Sequence, residues 1–258
     1  MSIKSIVIIG SGNVATCLGL AFVKLGLTVK AVYSPTRANA AELAQKLHAV
    51  YCATLAELPN DADLYLLAVK DEVIEDVSSK LHVSGLVVHT SGSTAIDAIQ
   101  QPRRGVFYAL QTFNKESEID FTVVPFLVEA NEEQDSQALL GLAKAFSNKV
   151  VLASTAQRQA LHLAAVFANN FTNHLMGLSK QIVEHHQLSY DLLKPLILQT
   201  AINATQNNPS EVQTGPAIRG DERTLLIHEK LLRENESWLK LYQQITRSIQ
   251  TTHKQKKL

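Results

Sequence analysis

The sequence has no surplus of charge of either sign, with 24 Lys and Arg against 24 Asp and Glu. Without a basic excess there is no electrostatic footing for nucleic acid or for an anionic membrane surface. Cysteine is nearly missing. Cys17 and Cys52 are the only two, both in apolar-patterned segments, which reads as core packing in a reducing compartment and excludes a disulfide framework. No run of about eighteen apolar residues occurs, so no transmembrane helix is expected. The apolar start carries one lysine and passes straight into a glycine turn instead of a cleavage site, so the expected location is cytoplasmic. There is no internal repeat, no low-complexity tract, no G-x-S-x-G elbow and no set of metal ligands at a recognisable spacing. The basic end, 254–257, reads as a solvated tail. What remains is a chain of 258 residues, 46% hydrophobic, enough for two ordinary domains.

The stretch with the most information is 1–26. An apolar run, Ile3-Lys4-Ser5-Ile6-Val7-Ile8-Ile9, meets Gly10-Ser11-Gly12-Asn13-Val14-Ala15 and then a helical pattern. Gly10 allows the sharp turn out of a strand, and Gly12 has no side chain to keep a pyrophosphate from the backbone. Ala15 stands at the third small position and still lets the helix lie close on the strand. The unpaired N–H groups at the helix start then offer an anion site. Taken alone this spelling is weak, but a strand before it and a helix after it are the context that a dinucleotide fingerprint needs.

Strands are expected at 28–33, 62–69, 85–89, 105–110, 123–129 and 149–153, with helices at 37–48, 71–80 and 131–147. The alternation predicts a mostly parallel, doubly wound Rossmann sheet of the α/β class. From Ser154 strand-like runs stop and helical patterns take over, which divides the chain into a 1–153 nucleotide-binding domain and an all-α 154–258 substrate and dimerisation domain. Ser154-Thr155-Ala156-Gln157 spells a capping box at the head of a helix running toward His186. A second helix is expected over 189–207, with Pro195 as a kink or a later start. Then come a loop over 208–220, a third helix capped by Asp221 and ending near Asn235, and a fourth over 236–252.

The end of the second strand holds no acidic residue to accept from a ribose 2′-hydroxyl. It holds Tyr33-Ser34-Pro35-Thr36-Arg37, in which Ser34, Thr36 and Arg37 can donate to a 2′-phosphate, so NADP (NADPH) is expected over NAD. Val69-Lys70-Asp71 and His89-Thr90-Ser91-Gly92-Ser93-Thr94 close central strands, where open α/β sheets hold ligands. For the second loop two readings stand: contacts to the nicotinamide and substrate, or a Ser/Thr turn with a helix cap. On the long helix His162, Asn169 and Asn173 share a side, with Asn170 and His174 beside them. They serve either a cleft or neighbouring helices. His185 and His186 read as an exposed pair.

These motifs resemble a known family. The residues Gly10 to Ala15, His89 to Ser93, GVFYALQTF at 105–113, ANNF at 168–171 and TGPAIRGD at 214–221 are similar to bacterial proteins that pair a Rossmann-like NADP-binding domain with a helical C-terminal domain of unknown function, domain family 2520. The first part also resembles deazaflavin-dependent NADP oxidoreductases, and the layout resembles pyrroline-5-carboxylate reductases and β-hydroxyacid dehydrogenases. The resemblance implies hydride transfer and a homodimer formed through the helical domain. One departure is plain: the dehydrogenases carry a catalytic lysine one turn before an asparagine, and Val166 stands one turn before Asn170. Another is Ala109, at a position where a proline is expected.

The sequence therefore predicts an NADP-dependent oxidoreductase acting on a small imine or keto/hydroxy acid. Gly10, Gly12, Asn13, Val14, Ser34, Arg37, Val69 and Ser91 are its expected cofactor residues. His162, Ser91 and Asn170 are the expected catalytic residues, with His89 a second titratable candidate, and Asn170 and Arg219 the expected substrate contacts. Gly215, Pro216 and Gly220 make the turn that carries Arg219 a constrained one. The missing lysine leaves a rival, a non-catalytic NADP(H)-binding sensor or partner-binding protein. A helical dimerisation protein that binds no nucleotide is a third reading, opposed by the intact glycines.

Overall fold

Alternation along the central strands dictates the two faces of the sheet. In β1 (Ser5–Ile9) the residues Ile6 and Ile8 enter one apolar cluster while Val7 and Ile9 enter another. The same division separates Leu64 and Leu66 from Tyr65 and Leu67 in β4 (Leu64–Leu67). A strand buried on both faces needs helices on both. The computed structural model describes residues 2–255. It supplies that cover with α1 (Asn13–Lys24), α2 (Arg37–Lys46), α3 (Ile74–Ser79) and α4 (Glu133–Phe146). The other strands are β2 (Thr28–Tyr33), β3 (Val50–Cys52), β5 (Leu86–His89), β6 (Arg104–Ala109), β7 (Phe126–Ala130) and β8 (Val150–Leu152).

The sheet runs β3-β2-β1-β4-β5-β6-β7-β8. Chain direction across it reverses between β1 and β4, so the crevice for a ligand opens outside their carboxyl ends. The expected α/β fold, a doubly wound Rossmann sheet followed by helices, is the observed one. A single pair departs from parallel: β7 lies antiparallel to β6, in register from Gly105↔Ala130 to Ala109↔Phe126. The reason is the connection. Residues 110–125 hold no α-helix, only a short 3-10 turn at Phe121–Val123, and without a crossover helix the chain returns beside the strand that it left.

Beyond β8 the chain is helical, as α5 (Thr155–Ala165), a π-helical segment (Val166–Phe171), α6 (Thr172–His185), α7 (Lys194–Gln206), α8 (Pro216–Arg219), α9 (Glu222–Leu231) and α10 (Glu236–Gln255). The expected capping box heads α5, with the Ser154 N–H donating to Gln157 Oε1 at 2.9 Å. Pro195 sits in the first turn of α7, the later start of the two alternatives, and Asp221 caps α9 by accepting from the Thr224 N–H at 3.1 Å. The chain divides into one compact unit through His174 and another from Leu175 onward. No helix among the described residues is long and apolar enough to cross a membrane.

Some details differ from the sequence reading. β3 was not expected, because three residues with Val50 largely exposed carry no alternation to detect. The loop over 208–220 contains α8, too short for a helical period. α9 stops at Leu231, and α10 runs to Gln255 instead of ending at Thr252. Of the basic end over 254–257, residues 256 and 257 lie outside the described residues.

Gly10 fixes how closely β1 and β4 approach at the crevice. Its φ is +124°, and a Cβ there would stand 2.1 Å from the Ala68 carbonyl oxygen. Gly10→Ala should therefore destabilise by ~1–3 kcal/mol, read as a lower urea midpoint. An unchanged midpoint would show that the strand ends can separate freely.

Candidate active site

The glycine turn begins with the Gly10 N–H donating to the Tyr33 carbonyl at 2.7 Å, and the Ser11 hydroxyl donates to Ser34 Oγ at 2.9 Å. These two bonds join the turn to the end of β2. Gly12 forms the N-cap of α1, and a Cβ built on it would meet nothing within 4 Å. Gly10 is thus glycine because backbone crowds it, and Gly12 because the space before it is open. No side chain caps α1, so its first N–H groups are left to an anion. Gly10, Gly12, Asn13, Val14, Ser34 and Val69 line one cleft of ≈ 800 Å³. Thr36, Asn39 and Thr90 line it too. Arg37 does not. It begins α2 with its guanidinium carbon 6.0 Å from the Tyr51 ring centroid.

The loop after β5 is organised by buried polar groups. His89 is fully buried; its Nδ1 accepts from the Ser91 N–H at 3.1 Å, and Nε2 lies 3.3 Å from the Ala95 carbonyl, to which it donates. Both ring nitrogens are spent on the loop, so the ring braces the turn instead of facing a ligand. The Ser91 hydroxyl donates to Asp71 Oδ2 at 2.7 Å and accepts from the N–H groups of Ser93 and Thr94 at 3.1 and 2.9 Å. Burial pushes the Asp71 carboxyl up, but the hydroxyls of Ser93, Ser91 and Thr94 outweigh it and hold the pKa below the usual range. With the Ser91 hydroxyl occupied in this way, Thr90 is the loop residue that lines the cleft.

Arg158 was not singled out in the sequence, yet it is 1% exposed. Its Nη1 donates to the carbonyls of Ser91, Gly92 and Thr94 at 3.1, 3.2 and 2.8 Å, and its Nη2 to Glu129 Oε2 at 3.1 Å. Nothing in Gln157-Arg158-Gln159 distinguishes it from a solvated arginine, since the partners come from distant strands. Glu129 also accepts from the Thr155 N–H at 2.9 Å, so one carboxylate serves both the helix start and the guanidinium.

One turn beyond Arg158 stands His162, with Nδ1 3.1 Å from the Tyr108 hydroxyl. A Cβ at Gly92 would lie 2.5 Å from that nitrogen, so the loop glycine is what admits the ring. His162, Tyr108, Asn169 and Asn170 line a second cleft of ≈ 410 Å³. Asn169 donates to Thr112 Oγ1 at 3.0 Å. The two clefts share Val14, Thr90, Gln111 and Phe113 and so form one groove from the glycine turn to His162. Tyr108 escaped the sequence reading as a site residue because it sits near a strand end within an otherwise ordinary run, and Thr90 belongs to the loop expected at the nicotinamide, in which Ser91 was the residue singled out. Arg219 belongs to the second compact unit. It is exposed, with its charge near enough to the Asp221 carboxyl to help lower that group's pKa, on a turn whose Gly215 and Gly220 have φ of 108° and 67°. Among the described residues no three of His, Cys, Asp and Glu stand where they could hold a metal ion.

Desolvation first, and then the Arg158 charge, lower the pKa of His89 from 6.5 to about 4. Between those values the unfolded chain takes up a proton that the native ring refuses. The contribution of the neutral ring is present above pH 6.5 and is lost as pH falls toward 4. It amounts to about 3 kcal/mol. Urea midpoints measured across that window should fall steeply for the wild type and less for His89→Gln. Parallel curves would remove His89 from the acid response.

A family model for NADP oxidoreductase, coenzyme F420-dependent, matches residues 5–97, and a model for the domain of unknown function DUF2520 matches residues 124–249. No curated protein matches. Among solved structures, the "putative NADP oxidoreductase BF3122" from Bacteroides fragilis is 39% identical, over 96% of this chain and 98% of that one, with a TM-score of 0.89. A reductive aminase from Aspergillus terreus, in complex with NADPH and ethyl levulinate, is 17% identical over 97% of this chain and 95% of that one, with a TM-score of 0.71. A pyrroline-5-carboxylate reductase from Coxiella burnetii is 16% identical over 99% and 98%, with a TM-score of 0.57. The last two share the fold. At 39% identity over nearly the whole of both chains, the chain belongs to the family of that NADP oxidoreductase, with its own Rossmann-like nucleotide domain followed by a DUF2520 region.

Proposed function

We propose that this NADP-dependent oxidoreductase reduces the C=N or C=O bond of a small imine or keto acid. The observation that carries the reading is the continuous groove, which leads from an open glycine at a helix N-terminus to a half-buried imidazole and two asparagines. The residues that line the groove suit the cofactor: Gly10, Gly12, Asn13 and Val14 would hold the pyrophosphate, Ser34 the 2′-phosphate, and Val69 and Thr90 the route toward the nicotinamide. Arg37, outside the cleft beside Tyr51, would have to turn toward Ser34 to join the 2′-phosphate. NADPH when bound supplies the hydride. Ser91 is assigned to holding the loop. His162 would donate a hydrogen bond to the substrate nitrogen or oxygen, and Asn170 would orient the substrate. Arg219 is proposed to meet an acidic group on the substrate, a reading supported by its exposed guanidinium on a constrained turn. That the fold-level relatives include a reductive aminase and a pyrroline-5-carboxylate reductase supports the substrate class. Val166 at the usual lysine position favours the alternative, a non-catalytic NADP(H)-binding protein.

NADPH consumption with a panel of cyclic imines and keto acids tests the reaction, and NADPH binding without turnover on any of them would favour the alternative. In titrations NADPH should bind more tightly than NADH, and Arg37→Asp should weaken NADPH by roughly 1.5–3 kcal/mol. Equal affinities would remove the 2′-phosphate assignment.

We also propose residues 154–258 as a dimerisation and substrate domain that pairs with a second copy. After Arg158, Ala217 is the only buried residue among those described, and Phe167, Leu192, Leu196, Leu198 and Leu226 are more than 60% exposed. Helices with so much apolar surface in water need a partner. Light scattering at micromolar concentration should give twice the chain mass, and a monomer there would overturn the pairing.

A further inference from the structure

The reductase reading gives His162 a hydrogen bond to donate, and an imidazole can donate toward substrate from one nitrogen only if the other is accounted for. We propose that Tyr108 is the positioning residue that fixes the His162 tautomer, leaving the Nε2 proton for the groove. Four observations converge on it. Tyr108 is 8% exposed, so its hydroxyl needs a partner inside the protein, and among the described residues His162 is the only one. The hydroxyl lies 3.1 Å from Nδ1, whereas Nε2 has no protein partner among the described residues. The rings meet edge to face, with centroids 5.9 Å apart and an interplanar angle of 79°, which gives the imidazole a defined orientation. Gly92 packs against the ring at Nδ1 and Cγ, where a Cβ would stand 2.5 and 2.6 Å from those atoms and displace the ring.

With Nδ1 as its one protein partner among the described residues, the Tyr108 hydroxyl satisfies its O–H within the protein by donating there. Tyr108 therefore donates, Nδ1 accepts, and the proton of the neutral ring resides on Nε2. In the proposed reaction the substrate carbon gains the hydride of the reduced nicotinamide, and the π electrons of the C=N or C=O bond move onto nitrogen or oxygen. The Nε2–H stabilises the charge that collects there. The proton that completes the amine or alcohol comes from water, and His162 and Tyr108 end the cycle as they began it.

The test has one arm that does not depend on turnover. Nitrogen-15 spectra of the free protein at a pH where imidazole is neutral report the tautomer of each histidine directly, with His162→Gln used to assign the signal. The wild type should show His162 as the Nε2–H form, and Tyr108→Phe should let the Nδ1–H form appear. A wild-type Nδ1–H tautomer, or a Tyr108→Phe spectrum identical to wild type, would overturn the proposal. In the kinetic arm, Tyr108→Phe should keep NADPH affinity within about twofold and lower kcat roughly 10- to 100-fold, with little change in KM. If the wild type turns over no imine or keto acid, the reductase reading fails while the spectra still decide the tautomer.

Discussion

A guanidinium shut away from water holds this site together. Removing Arg158 from solvent costs several kcal/mol, and one carboxylate does not offset that. The three carbonyls of the loop after β5 and the Thr155 hydroxyl complete the compensation, leaving Nε as the atom without a partner. The result is a junction of β7 through Glu129, of the loop through its backbone, and of α5 through the arginine itself. The imidazole that the groove presents on its far side depends on that junction, because His162 stands one turn further along the same helix. The antiparallel strand, which looks like an appendix to a parallel sheet, matters here because it delivers Glu129.

Three glycines in this groove answer to three different neighbours. Gly10 is required by a backbone carbonyl, Gly92 by an imidazole, and Gly12 by empty space alone. The first two are explained within the protein. The third makes sense through something that comes from outside, which is why the glycine turn points to a nucleotide more firmly than its spelling does.

The elements that were legible in the sequence are those whose signal is local. Strand, turn and helix at the N-terminus, the capping box at Ser154 and the cap at Asp221 each depend on residues within four positions of one another. The clustering of Gly10, Gly12, Asn13, Val14, Ser34 and Val69 followed from the general rule that open sheets bind at strand ends. What could not be read were roles assigned by distant partners. His89 looked available and is consumed by its own loop, whereas Ser91 looked like a contact and is satisfied by Asp71. Arg158 carried no local mark and is buried, because strand β7 and the loop 89–94 supply its partners. In each case the side chain's chemistry was visible and its surroundings were not.

The π-helical segment Val166–Phe171 has a consequence for how the chain tolerates changes in length. A turn closed over five residues instead of four accommodates one residue more than a regular helix would. The wider turn absorbs that residue, so the part of the helix that carries His162 and the part that continues from Thr172 stay in phase. Loss of a single residue here would let the segment relax to ordinary α geometry without breaking the helix, and the part from Thr172 onward would keep nearly the same phase while the side chains inside the segment change place. Asn169 and Asn170 stand inside the segment. Two homologues differing by one residue at this point could keep the same fold and the same cofactor and yet present different groups to the substrate.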